Sequence, residues 1–426
     1  MYRDGMDLLG AYCRRYNGVI SVPFAATVPD GAVSDTSSQM GFVGQALPAA
    51  ALLLRDGLQT NDADAVSRAV EVVDFWADHS MTPSGVPKTW YDIHPDGTWT
   101  FRNYHTFLRV ASDGMDGALH AWQTARIHGR DKPSWLDFCM RYGDWLVGAQ
   151  AADGSWAREY DFDGKAVNTA RDTTDQAIPF LVDLFDATGD ARYKDTALRA
   201  GDFCRYTVHE AYAYVGGTPD NPNVLDKEGG MMALAAFLSL YDVSRDRRWL
   251  VAARHAEEYS ETWVYCRDIP RPDDDPLVVY PKHRTTVGLS LIATGHSGAD
   301  NYMADAPFKF YRLFLLTGDT HFRDAARMLL HATKQMPDWD GTLGYRYPGL
   351  LTEALSLSPP RGHGQIHWLP WLTVAILNPL LDLEDTFGSK DIDTIEKLPL
   401  SARLRLDDTY AQSHGFTPPS AMRKEP

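Results

Sequence analysis

Cysteine is scarce in this chain of 426 residues: Cys13, Cys139, Cys204 and Cys266 are the four present. They form no C-x-x-C pair and no metal-ligand spacing, so neither a disulfide scaffold nor a zinc module is expected. Three of them fall in patterns that read as outer helices, a setting for buried free thiols. Positive charge is also in deficit, with 41 Lys and Arg against 57 Asp and Glu and a formal charge of −16. Nucleic acid and anionic membranes demand positive potential, so neither is expected as a partner. Apolar runs such as residues 46–54 and 371–377 fall well short of the roughly 20 residues that span a bilayer. The first residues, MYRDGMDLLGAYCRRYNG, show no apolar signal core and no small-residue cleavage pattern, and a cytoplasmic protein is the expectation. HExxH, GxSxG, a P-loop and a strand-borne GxGxxG are all missing, and no cofactor or metal is expected.

What is present is enough apolar and aromatic material for a sizeable core, 44% hydrophobic and 12% aromatic residues, arranged in a repeating plan. The stretch RDTTDQAIPFLVDLFDATGD, residues 171–190, begins with polar groups, continues as an apolar body and stops at a glycine. It reads as a buried helix with a left-handed C-terminal cap. The plan recurs at 34–57, where Pro48 would sit at a kink, from Ala111, at 226–246, at 297–319 and from near Gly362. Between these copies lie amphipathic segments at 1–18, 61–81, 133–150, 193–210, 249–266 and 321–336. Helices that are apolar all round belong inside, and those with one apolar face belong outside. Six of each in alternation predict an all-α (α/α)6 toroid over residues 1–390, with residues 391–426 as a C-terminal extension packed on it or partly disordered. The run 82–109 is rich in turn signals and aromatics and predicts a long loop with a short hairpin at Asp96-Gly97.

In such a ring the N-termini of all inner helices gather at one end. Their starts carry Asp35 and Gln39; Asp113 and Asp116; Asp172, Asp175 and Gln176; Asp226 and Glu228; Asp300, Asn301 and Asp305; and His363, Gln365 and His367. Any one Asp reads equally well as an N-cap. A cap needs one acceptor, however, and most starts carry two carboxyl groups. Carboxyls crowded at one end raise each other's pKa and set an acid beside a base, the equipment for glycosidic bond cleavage. Trp90, Tyr104, Trp156 and Trp368 map to the same end and offer flat faces for sugar rings, or else plug the mouth. His105, His296, His363 and His367 map there too, as do Arg102, Arg109, Arg171, Lys282, Arg284 and Arg346, cations able to take a carboxylate. His363 with His367 lacks the third ligand a metal needs.

The second and third starts, SDGMDGALHAW and RDTTDQAIPFLVDLFDATGD, resemble those of unsaturated glucuronyl and rhamnogalacturonyl hydrolases in the six-hairpin glycosidase superfamily. The resemblance implies a functional Asp at each: Asp113 or Asp116 on the second, and on the third Asp172 or Asp175 as the general acid. It also implies an oligosaccharide substrate, with a uronic acid at the cleaved end. Gln176, Glu228 and Asp300 join the aromatics and histidines as candidate substrate contacts. Two other readings keep the ring but change the task. A sugar epimerase or isomerase would use His296, His363 and His367, and a polysaccharide lyase would use Tyr104 with His105 and Asn103. A non-catalytic binding toroid is the third rival, and an oligomer is compatible with all of them.

Overall fold

A computed structural model describes residues 1–269, 284–295, 298–356 and 367–422. Its helices are α1 (Tyr2–Tyr12), α2 (Ala46–Thr60), α3 (Ala63–His79), α4 (Leu108–Ile127), α5 (Pro133–Ala149), α6 (Ile178–Thr188), α7 (Ala191–Cys204), α8 (Lys227–Ser244), α9 (Arg247–Glu261), α10 (Pro307–Thr317), α11 (Thr320–Ala332), α12 (Pro370–Phe387), α13 (Ile392–Ile395) and α14 (Leu400–Ser413). Helices α2, α4, α6, α8, α10 and α12 touch one another in sequence, and α12 returns to α2, which closes an inner ring. Outside it, α3, α5, α7, α9 and α11 pair with the inner helix before them, while α1 packs on α12 and completes the sixth hairpin. The chain is therefore the (α/α)6 toroid expected from the alternating pattern.

Local chemistry explains the alternation. Inner α6 buries Ile178, Phe180, Leu181, Val182 and Leu184, whereas outer α11 buries one stripe, Phe322, Ala325, Ala326, Leu329 and Leu330, and leaves its other face wet. Four of the five reversals from inner to outer helix are built alike; the one from α4 to α5 ends at His128 with φ −91° and starts without a side-chain cap. In the four, a residue in the left-handed region ends the inner helix: Gly189 at φ 72°, Gly318 at φ 77°, Asn61 at φ 59° and Arg245 at φ 56°. The Asp that follows, Asp62, Asp190, Asp246 or Asp319, accepts backbone N–H groups of the outer helix it starts. Such a cap contributes about 1 kcal/mol.

The starts of two inner helices differ from expectation. Residues 33–35 and 38–39 are short strands, and α2 begins only at Ala46. Pro48 thus sits in the first turn, where its missing N–H has no partner to lose, and no kink is required. Gly57 lies inside the helix, not at its end, at a position where a Cβ would meet Val66 Cγ2 at 2.9 Å. Helix α4 begins at Leu108, which puts Asp113 and Asp116 well inside it and excludes them as caps.

The connections into the inner helices carry small antiparallel sheets around the mouth. Trp90–Ile93 and Trp99–Phe101 form the hairpin expected at Asp96-Gly97, with Gly97 at φ 85°, and Ser38–Gln39 adds a third strand. At the opposite end α14 lies across α10 and α12. Arg312 of α10 ties it down, reaching Asp407 at 3.0 Å and Asp242 of α8 at 2.6 Å, all three side chains buried. Cys13, Cys139 and Cys204 are buried thiols and Cys266 is exposed. Among the described residues, no helix is long and apolar enough to cross a membrane.

Candidate active site

The inner ring encloses a cavity of about 1000 Å³ that runs from the mouth, at Phe42, Arg109 and Glu353, to the far end, where Tyr410 and His414 of the C-terminal segment form its floor. An ion network organises the mouth. Arg109, buried in the first turn of α4, donates to Glu228 Oε2 at 2.6 Å and to the Gly216 carbonyl at 2.9 Å. The Phe42 ring lies 4.6 Å from its guanidinium carbon, and its Nε is 4.0 Å from Asp113 Oδ2. Buried Lys227 donates to Asp300 Oδ2 at 2.6 Å and to the Ile292 carbonyl at 2.7 Å, with Glu228 at 3.5 Å. Asp300 also accepts from Ser290 Oγ at 2.7 Å, and Asp226 caps α8 through the Gly229 N–H.

Cations and burial sort these acids into two kinds. Burial opposes the charge on Glu228, but Arg109 and Lys227 beside it hold its carboxyl below the usual range, so it is ionised at neutral pH. Among the described residues Glu353 has no cation in contact, and Lys227 lowers it only weakly. Burial, together with Asp300, Asp220 and Glu228 nearby, pushes it up to about 8. Asp113 is raised to about 6 by burial, partly countered by Arg109 and by the Phe42 N–H that its Oδ2 accepts. A proton-bearing acid and an ionisable carboxylate thus face one cavity near neutral pH, the condition for acid and base catalysis by carboxyl groups.

Deeper in the lumen, Asp116 and His120 of α4 meet Asp183 of α6. Their donor atoms lie within 4.8 Å of one another, a spacing that would admit a cation. The two nitrogens of the ring face different carboxylates, however: Nδ1 is 3.9 Å from Asp116 and Nε2 is 3.5 Å from Asp183. Burial disfavours a charged ring, yet the two acids push it up to about 10. This is the arrangement of an imidazolium held between carboxylates.

Of the residues expected at the site, Asp113, Asp116, Gln176, Glu228 and Asp300 line the cavity. Asp172 and Asp175 do not. Asp172 is paired with buried Arg158 at 2.6 Å, and Asp175 is sealed in the wall, where burial raises it to about 7. Trp156 and Trp368 are core residues: the first donates to the Leu146 carbonyl, and the second stacks on Tyr12 at 4.4 Å and donates to Thr373. Trp90 is stacked on Phe24 with Arg102 over its ring. Tyr104 is exposed and stacks on Phe107, and His105 bonds Glu159 at 2.9 Å. His367 pairs with Thr27 in a strand. Asp35 and Gln39 lie on strands ahead of α2 and do not line the cavity. His296, His363, Gln365 and Lys282 lie outside the described residues.

Sequence reasoning missed Phe42, Tyr302, Glu353 and Trp371, all of which line the cavity. Tyr302 and Trp371, with ring centroids 5.7 Å apart, supply the aromatic wall that had been expected from loop tryptophans. Only Tyr302 carried a local signal, since it follows Asp300 and Asn301 directly.

No family model matches the chain, and no curated protein matches it. In three dimensions it is similar to D-mannose isomerase, with 13% identity over 90% of this chain and 95% of that one and a TM-score of 0.64. It is also similar to cellobiose 2-epimerase from Bacillus thermoamylovorans, with 11% identity over 93% and 98% and a TM-score of 0.61. An unsaturated glucuronyl hydrolase specific for heparin aligns at 12% identity over 94% and 97%, with a TM-score of 0.56. What these alignments establish is a shared fold, the (α/α)6 toroid.

Proposed function

We propose that the chain is a glycoside hydrolase that cleaves an oligosaccharide in the mouth of the toroid, with Glu353 as general acid and Asp113 as general base. The observation that carries this reading is the coexistence, in one cavity, of a carboxyl raised to about 8 and another that ionises near 6. Between pH 6 and 8 the first holds the proton a leaving oxygen needs, and the second can take one from water. Glu228, ionised and paired with Arg109 and Lys227, holds the Arg109 guanidinium at the mouth. Tyr302 and Trp371 offer the apolar surface for a sugar ring.

The pairing of the cations that line the cavity, among the described residues, supports a neutral sugar over a uronic acid. Among the described residues that line the cavity, Arg109 is committed to Glu228, Lys309 to Asp305, Arg312 to Asp242 and Arg55 to Asp385. Of the other arginines expected to take a carboxylate, Arg102 is paired with Asp92, Arg171 with Asp153 and Arg284 with Asp340, and Arg346 lies against Tyr347.

Isomerisation or epimerisation of a sugar is the second reading, supported by the likeness in fold to D-mannose isomerase and cellobiose 2-epimerase. It requires a base beside a carbon-bound proton; His296 and His363, expected in that role, lie outside the described residues, and His120, deeper in the lumen, is held as an imidazolium between Asp116 and Asp183. Screening a library of neutral and uronate-terminated oligosaccharides by mass spectrometry tests the proposal. Shorter products from neutral glycans support it, and isomers of unchanged mass would replace it with the second reading.

A further inference from the structure

We infer that Glu257, Glu261 and His321 form a divalent-cation site on the outer ring, joining α9 to α11. Helix α9 packs inward through Trp249, Leu250, Ala252, Ala253, Ala256 and Ser260, and Glu257 falls on that same apolar stripe. Its residue exposure is 0%, and both carboxylate oxygens are sealed from solvent without a hydrogen-bond partner among the described residues. A charged carboxylate in that position must be compensated or protonated. The nearby cation does not do so, because Arg254 is engaged by Glu258 at 2.8 Å and lies 3.6 Å from Asp319.

What faces Glu257 instead is a set of ligands. Glu261 lies one turn further along the same face of the helix. His321, near the start of α11, brings Nε2 to 2.6 Å from Glu261 Oε2. One donor atom from each of the three lies within 4.8 Å of the other two. The Asp319 cap, which accepts the His321 N–H at 3.0 Å, fixes the backbone that carries the imidazole. Two carboxylates and one imidazole suit Zn²⁺ or Mn²⁺, and the partly exposed Glu261 and His321 leave room for water at the remaining positions. Such an ion would staple the α8/α9 hairpin to the α10/α11 hairpin. It lies outside the inner ring and is independent of the chemistry proposed for the lumen.

The test uses the full chain stripped with a chelator and titrated with Zn²⁺ by calorimetry, beside H321A, whose side chain is largely exposed, and the isosteric E257Q. Wild type is expected to bind one equivalent more than either variant, or to bind that equivalent at least tenfold more tightly. It should also show a Zn²⁺-dependent rise in Tm that both variants lose. If all three proteins give the same stoichiometry, affinity and Tm response, the inference is overturned and Glu257 is carried as a neutral acid.

Discussion

Helix α4 and the turn leading into α6 carry the same pair, two Asp residues three apart, and the ring puts them to different uses. Asp113 and Asp116 lie within α4 and face the lumen. Asp172 and Asp175 lie in and just before the short 3-10 turn, Thr174–Ala177, that precedes α6; there Asp172 turns to Arg158 and Asp175 is sealed in the wall. The difference lies in helical register. On α4 the preceding turn, with Arg109 at its inner edge, fixes which side chains point inward. Ahead of α6 the lumen position is taken by Gln176, which donates to the Gly216 carbonyl at 3.0 Å. A pair of acids at an inner-helix start is therefore not by itself a catalytic pair; what decides is which residue the first turn aims at the axis.

This contrast can be broken most directly by D113N. Removing the base should lower kcat/KM by roughly 10²- to 10⁴-fold, measured on the substrate found by screening, whereas D175N should leave it near the wild-type value. Next in size is the pH profile. With Asp113 ionising near 6 and Glu353 losing its proton near 8, kcat/KM should be bell-shaped between those values, and E353Q should lose the alkaline limb. D172N removes a structural partner and leaves buried Arg158 with one fewer acceptor. It should cost about 2 kcal/mol in denaturant unfolding while turnover per folded molecule is kept.

The smallest effect sharpens the other half of the α6 pair. The carboxyl of Asp175 is raised from 3.8 to about 7 by burial. A raised folded pKa gives stability that is full below the unfolded pKa and is lost as pH rises through the folded one. Wild type should therefore lose stability relative to D175N between about pH 4 and pH 7, seen as a difference in the pH dependence of Tm.

The ring was legible because its signals are local. Thr188-Gly189-Asp190 and Thr317-Gly318-Asp319 each encode a left-handed stop and the next helix's cap within three residues, and the apolar bodies between them have helical length. The first inner start was not legible. Residues 38–39 become a strand only by pairing with Tyr91 and Trp90, some fifty positions later. The site divides along the same line. Asp113 and Glu228 were readable as polar groups at helix starts, but the pairing of Asp172 depends on Arg158, set by a neighbouring strand. Glu353 sits in a connection without any motif, and its raised pKa arises first from burial and then from Asp300, Asp220 and Glu228, all of them set by the fold. Trp156 and Trp368 looked like sugar platforms because burial of a large ring and exposure of one leave the same trace in a sequence.

The central claim is that carboxyl groups in the mouth cleave a glycosidic bond with water. Turnover of the identified substrate in H₂¹⁸O, followed by mass spectrometry, tests it most directly. The expected result is one ¹⁸O in the product per bond cleaved, with the rate of incorporation lowered in D113N and E353Q. Product of unchanged mass with no ¹⁸O from bond cleavage, carrying deuterium at carbon when the reaction is repeated in D₂O, would contradict it and assign the lumen to proton transfer on an intact sugar.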